Sequence, residues 1–217
     1  MPTPDVAIAH GIITRQATER IARTAFDLAS SRAAQHVSIV HKANVLTLTG
    51  GLFLDVCQGV AQDYPHIYVD DFHIDSMTVH LVRSADQFDV LVTENMFGDI
   101  LSDLAGEVAG SLGIAASLNH SDTQGMAQAA HGSAPDIAGT DVANPVAMFL
   151  STAMLLTWLA KRHQDDRLHA AAHLIRHAVE ATVDSGVSTS DLGGTASTTE
   201  VTAAVVDAIS THPRGQN

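Results

Sequence analysis

Phe88-Asp89-Val90-Leu91-Val92-Thr93-Glu94-Asn95-Met96-Phe97-Gly98-Asp99-Ile100-Leu101-Ser102-Asp103 is the stretch on which the fold turns. Its first six residues are rich in β-branched side chains and read as a strand, and the residues from Gly98 onward read as a helix that follows a short loop. Asp99 and Asp103 are four apart, so a helix turns both carboxylates the same way, one turn above the other. Two stacked carboxylates resemble half of a hard-cation site, the kind Mg2+ or Mn2+ prefers. The plainer alternative is that both acids favour the positive end of a helix, an effect of ~0.3–1 kcal/mol.

Upstream lie Asp75, in His73-Ile74-Asp75-Ser76-Met77, and Lys42, in Val40-His41-Lys42-Ala43-Asn44. Taken alone, Asp75 would be a turn or cap residue and Lys42 a solvated surface lysine. Together with the aspartate pair they supply a third carboxylate and a proton-transfer group. That set points to metal-assisted chemistry on a small carboxylic acid.

The rest of the chain frames these residues. Residues 15–32 read as an amphipathic helix with Ile21, Ala25, Leu28 and Ala29 near one face. Val37-Ser38-Ile39-Val40 is a short strand that delivers Lys42 and Asn44 at its end. A helix runs through Leu52-Phe53-Leu54-Asp55-Val56 and ends near Tyr64-Pro65. Ile67-Tyr68-Val69 begins a second extended piece, followed by a helix over 76–82. Strands alternating with helices predict an α/β fold, with function at the carboxyl ends of the strands. Residues 106–139 are rich in Gly, Ala and Ser and read as loop. After Asn144-Pro145 come helices over about 145–162 and 166–185, the turn Asp191-Leu192-Gly193-Gly194-Thr195, a last helix over 199–210 and a tail from 212 to 217.

Composition narrows the partners. The 217 residues carry 24 acidic against 11 basic side chains, a net charge of −13, which argues against nucleic acid because phosphate neutralisation needs clustered Lys and Arg. Cys57 is the only cysteine. No internal disulfide can form, and a reducing cytoplasm is the default expectation. The first residues lack a signal-peptide pattern. The apolar run over 145–160 is shorter than the ~20 residues that span a bilayer, so no membrane association is expected; it reads as a helix buried on most sides, in a core or a subunit interface. Cys57 reads as a small core residue. His169, His173 and His177 recur every four residues and read as a solvated polar face rather than a metal site or pH sensor.

Four motifs carry a resemblance: His41-Lys42-Ala43-Asn44-Val45, Ile74-Asp75-Ser76-Met77, Phe97-Gly98-Asp99-Ile100-Leu101-Ser102-Asp103, and His131-Gly132-Ser133-Ala134-Pro135-Asp136-Ile137-Ala138-Gly139 with Ala143-Asn144-Pro145. In this order and spacing the chain resembles the metal-dependent β-decarboxylating dehydrogenases, which include isopropylmalate, isocitrate and tartrate dehydrogenases. The resemblance implies oxidation of a 2-hydroxy acid bearing a β-carboxylate by NAD, loss of CO2, and reprotonation of the enolate. It implies Mg2+ or Mn2+ held by Asp99 and Asp103 with Asp75, and Lys42 and Asp75 as the catalytic pair, Lys42 handling the hydroxyl proton. In the family, that lysine and the first aspartate come from a neighbouring subunit. His131 and Asn144 match adenosine contacts, within a cofactor loop that includes Gly132, Ser133 and Ala134. Asp136 matches the carboxylate on the adenosine ribose, where an anion favours NAD over NADP. Asn44 matches a position near the nicotinamide, and Gln128 replaces the Glu of several relatives.

The implied architecture is an isopropylmalate-dehydrogenase-like α/β fold lacking the N-terminal part of the cofactor domain. Residues 1–104 would form a dimerisation and metal-binding domain, and 105–217 the C-terminal half of the NAD-binding domain. The family's substrate arginines and catalytic tyrosine lie in the unmatched N-terminal segment. Tyr64 and Tyr68, the only tyrosines, match no such motif. Three readings stay open: a dehydrogenase whose other half comes from a homodimer or complex, a cofactor-independent β-keto acid decarboxylase or tautomerase, and a catalytically silent relative. An incomplete second sheet would expose the apolar helix over 145–160, so an obligate oligomer is expected.

Overall fold

Val37, Ser38, Ile39, Val40 and His41 are all buried in the strand His36–His41 (β1), which places it at the centre of a sheet covered on both faces. In the computed structural model, which describes residues 4–211, β1 lies between Tyr68–His73 (β2) and Val90–Thr93 (β3), parallel to both. Period-2 alternation sorts the side chains. Val37 and Ile39 join Val90 and Val92 in a core with Ala22, Ala25, Phe26 and Ala29 of the helix Arg15–Ser30 (α1) and Phe53, Cys57 and Val60 of Thr49–Ala61 (α2). Val40 faces the other way, into a core with Met77 and Leu81 of Ile74–Ser84 (α3) and Leu101 of Asn95–Val108 (α4). Cys57 is fully buried, and burial pushes its thiol up to about 12, so it serves as a small core residue.

The chain divides into two compact units, Met1–Ala105 and Gly106–Asn217. In the second unit the stretch read as loop contains an antiparallel hairpin, Ala116–His120 (β4) with Gly125–Ala129 (β5). Its strands carry no β-branched residue, which is why propensity missed it. The helix Val146–His163 (α5) supplies what they lack. The Ser151 hydroxyl accepts from Ser117 N at 3.0 Å and reaches the Gln128 carbonyl at 2.8 Å. Gly125 lets the hairpin press against Leu155 and Trp158. On α5 the small residues Ala147, Ser151, Ala153 and Ala160 are buried, whereas Phe149, Leu150, Leu156 and Leu159 are half-buried and Met148 is exposed. Within one copy the buried part of α5 is Val146 and this small-residue seam.

Asp166–Asp184 (α6) and Thr198–Thr211 (α7) complete a core of Val146, Ala178, Val179, Val201 and Val205. A reciprocal cap starts α7: Ser197 N donates to Glu200 Oε2 at 2.8 Å, and Glu200 N to Ser197 Oγ at 3.2 Å. His169, His173 and His177 are exposed along α6. The tail read over 212–217, like Met1 to Thr3, lies outside the described residues. Among the described residues no helix is long and apolar enough to cross a membrane.

Candidate functional site

The parallel sheet sets out the first group of candidates. His41 at the end of β1 pairs in register with His73 at the end of β2, so Lys42 and Asp75 follow adjacent strand ends. Lys42 Nζ donates to Asp75 Oδ1 at 2.5 Å. This contact holds the Asp75 carboxyl below its ordinary range, so its contribution is present above that range and is lost as pH falls through the lowered value.

The lysine backbone is clamped as well. Lys42 O accepts from Val45 N at 3.0 Å and from Leu46 N at 2.8 Å. Gly50 brings α2 so close that a Cβ there would sit 3.0 Å from Ala43 N, a contact that only glycine relieves. The buried His41, which opens the lysine motif but has no role assigned from sequence, holds the next peptide. Its Nδ1 accepts from Ala43 N at 3.1 Å, so Nε2 carries the proton and donates to Asp71 Oδ2 at 3.0 Å. Asn44 is exposed in the turn that follows.

Asp99 and Asp103 lie on α4, but this helix starts at Asn95, three residues before the expected Gly98. Gly98 N already donates to Glu94 O at 2.8 Å, and the buried Phe97 anchors the first turn. No acid falls in that first turn, where the helix-end field is concentrated, so the helix-dipole explanation of the pair is weak. Both aspartates are exposed, with side chains not engaged by any hydrogen bond or ion pair among the described residues, a donor set open to a hard cation. Among the described residues of one chain no three His, Cys, Asp or Glu groups gather closely enough to hold an ion. Asp75 is thus not brought to Asp99 and Asp103 within a single copy.

Glu94, beside this group, has a buried Oε1 with no partner. Burial raises its carboxyl. A raised carboxyl binds its proton more tightly folded than unfolded, so stability falls as pH rises through that window. Glu94→Gln is therefore expected to raise Tm at pH 7 by on the order of a few degrees, with the gain shrinking towards pH 4. Thermal melts across that range check it, and a gain independent of pH would remove the ionisation from the account.

The second unit holds the other candidates. His131, Gly132, Ser133 and Ala134 line an open cavity of about 460 Å³ with Ile137, Ala138, Gly139, Asp141, Ala143 and Thr198, within the size range of small-molecule sites. Ala134 takes a left-handed φ of 40° as the chain enters the turn Pro135–Ile137. Asp136 is exposed on that turn, outside the lining. Asn144 follows the rim residue Ala143 and is tied to Asp191.

Asp141, also unforeseen, has a left-handed φ of 61°. Its Oδ1 accepts from Thr199 N at 3.0 Å and from Thr199 Oγ1 at 2.9 Å. The Thr199 hydroxyl bond holds its carboxyl below the ordinary range. Asp141 O accepts from Thr198 N at 2.9 Å, and Thr198 Oγ1 donates to Ala143 O at 2.5 Å. The rim is thereby fastened to the start of α7. In sequence only its nearness to the motif over 131–139 points to it.

Comparison with known proteins places this geometry. Residues 2–209 match the family model described as isocitrate/isopropylmalate dehydrogenase. The chain is 46% identical over 205 residues to the isocitrate/homoisocitrate dehydrogenase of Thermus thermophilus, covering 94% of this chain and 59% of that protein. It is 45% identical to the 3-isopropylmalate dehydrogenase of Archaeoglobus fulgidus, covering 90% and 58%. It is 43% identical to the mitochondrial NAD isocitrate dehydrogenase catalytic subunit 5 of Arabidopsis thaliana, covering 90% and 51%. The crystal structure of isocitrate dehydrogenase from Methylococcus capsulatus superposes with a TM-score of 0.86 at 39% identity, over 94% of this chain and 59% of that one. The chain thus spans between half and three-fifths of the length of these relatives. On the match across nearly its whole length, the chain belongs to the isocitrate/isopropylmalate dehydrogenase family.

Proposed function

We propose that the chain takes part in NAD- and Mg2+- or Mn2+-dependent oxidative decarboxylation of a 2-hydroxy acid carrying a β-carboxylate. The observation that carries this is the Lys42 amine held against Asp75 at adjacent ends of parallel strands, its backbone clamped by Gly50 and His41. Asp99 and Asp103, with Asp75 from a second copy, would hold the divalent ion. The ion would supply a Lewis acid for the substrate's hydroxyl and developing enolate oxygens, and NAD would accept the hydride. Lys42 takes the hydroxyl proton, and Asp75 orients the amine and keeps it close.

The cavity at residues 131–143 would receive the adenosine half of NAD. Asp136 beside it would meet the ribose hydroxyls. Exposed Val79 and Val82 on α3, with Met96 and Ile100 on α4, support a second copy covering the first unit. The substrate arginines would come from the segment that the longer relatives have and this chain does not match.

The test is calorimetry with NAD and with Mn2+, followed by NAD reduction with isocitrate, homoisocitrate and 3-isopropylmalate. Binding of both, and reduction that requires the metal, is the expected result. Mn2+-dependent CO2 release from a β-keto acid without NAD binding would favour a decarboxylase instead. Binding without turnover would mark a silent relative.

A further inference from the structure

Asn144 is held from both sides in a way that leaves its amide one orientation. Its Nδ2 donates to Asp191 Oδ2 at 2.9 Å, and its Oδ1 accepts from Val146 N at 3.0 Å. An ionised carboxylate only accepts and a backbone N–H only donates, so an inverted amide would place like against like at both ends.

Asp191 is itself fixed. Thr189 Oγ1 donates to Oδ1 at 2.5 Å, and the Ser111 hydroxyl donates to Oδ2. Ser111 Oγ in turn accepts from Gly113 N at 2.8 Å. Thr189 and Ser111 are both buried. Gly113 walls in the pair: a Cβ there would lie 2.6 Å from Asp191 Oδ2 and 2.8 Å from Asn144 Cβ. Burial raises the Asp191 carboxyl, but the bonds from Ser111, Thr189 and Asn144 outweigh it and hold the group below the ordinary range. It therefore stays an acceptor at neutral pH.

An asparagine amide has two N–H donors and two carbonyl lone pairs. With one of each committed, one donor and one acceptor remain. That is the pair that matches the N6 donor and N7 acceptor of adenine.

We propose that Asp191 is a positioning residue that fixes the rotamer and polarity of the Asn144 amide, so that its remaining donor and acceptor select adenine over hypoxanthine. This rests on the reading of Asn144 as an adenosine contact. Asp191 acts only through Asn144 and touches no cofactor atom.

The test uses the full chain and two probes, AMP and IMP, which differ in presenting N6–H2 or O6 at the base edge. Calorimetry is expected to give AMP the tighter binding by roughly five- to a hundredfold. Asn144→Ala and Asp191→Ala should each move that ratio towards one. The double variant should move it no further, because the two side chains act as one unit. Circular dichroism melts establish that each variant folds. Should Asp191→Ala not fold, the isosteric Asp191→Asn, which can turn a donor towards Asn144, must narrow the ratio in its place. If the Asp191 variants weaken AMP and IMP equally, the residue is merely structural and the proposal is overturned, while the adenosine reading stands as long as Asn144→Ala still narrows the ratio. Absence of nucleotide binding, or a ratio insensitive to Asn144→Ala, overturns both.

Discussion

Lys42→Met is expected to lower turnover by roughly 10²–10⁴-fold, the usual worth of a positioned general acid or base. Methionine keeps an unbranched stem but cannot carry a proton. The clamp on the Lys42 carbonyl and the Gly50 contact involve backbone atoms alone, so the turn should survive the substitution. Asp75 loses its partner but is largely exposed, at 69% of its side chain, and water replaces the amine. Thermal stability should therefore barely change while NAD reduction collapses. A small primary amine added to the assay should restore part of the lost rate. The measurement is steady-state kinetics of the proposed NAD reduction, with and without methylamine. Unaltered kcat would remove the lysine from the chemistry.

Phe26→Ala should cost about 3–5 kcal/mol of folding free energy, as expected when a large buried aromatic is cut back to a methyl. Phe26 is fully buried in α1 and stacks on Tyr64 with centroids 5.1 Å apart. Its core also contains Val37, Ile39, Val90 and Val92 of the central sheet, so the cavity opens beneath the strands that present Lys42 and Asp75. Phe26→Leu refills most of that volume and should recover more than half of the loss. Urea unfolding monitored by circular dichroism checks both. Equal midpoints for wild type and Phe26→Ala would mean that the surroundings collapse onto the gap, against the packing described.

The first unit was largely legible in the sequence because its signals are local. Val37-Ser38-Ile39-Val40 is a short apolar run and did form the central strand, and Phe88 to Thr93 gave its neighbour with an overlong start, since Phe88 and Asp89 precede β3. Gly98 looks like a helix start in the sequence, but the helix carrying Asp99 begins three residues earlier, at Asn95. In fact Phe97 has enough apolar surface to seat the helix one turn earlier. The hairpin at 116–129 was missed because its stability comes from α5, through Ser151 and Trp158, rather than from strand propensity. Asp191 was read only as part of a turn, since two of its partners, Ser111 and Asn144, stand 80 and 47 positions away and share no local pattern with it. The motif residues over 131–139 stand together in the sequence as a block. Their division into those that line the cavity and those beside it is a matter of backbone turns that one-dimensional spacing does not encode.

The fastening of Asp141 to Thr199 joins residues 58 positions apart, and it gives the protein a temporal order. During synthesis the glycine-rich loop leaves the ribosome well before the helix that buckles its rim. A nascent chain would thus carry an unlatched cavity until nearly all of the second unit has emerged. Closure of the rim would follow folding of the last helix rather than guide it.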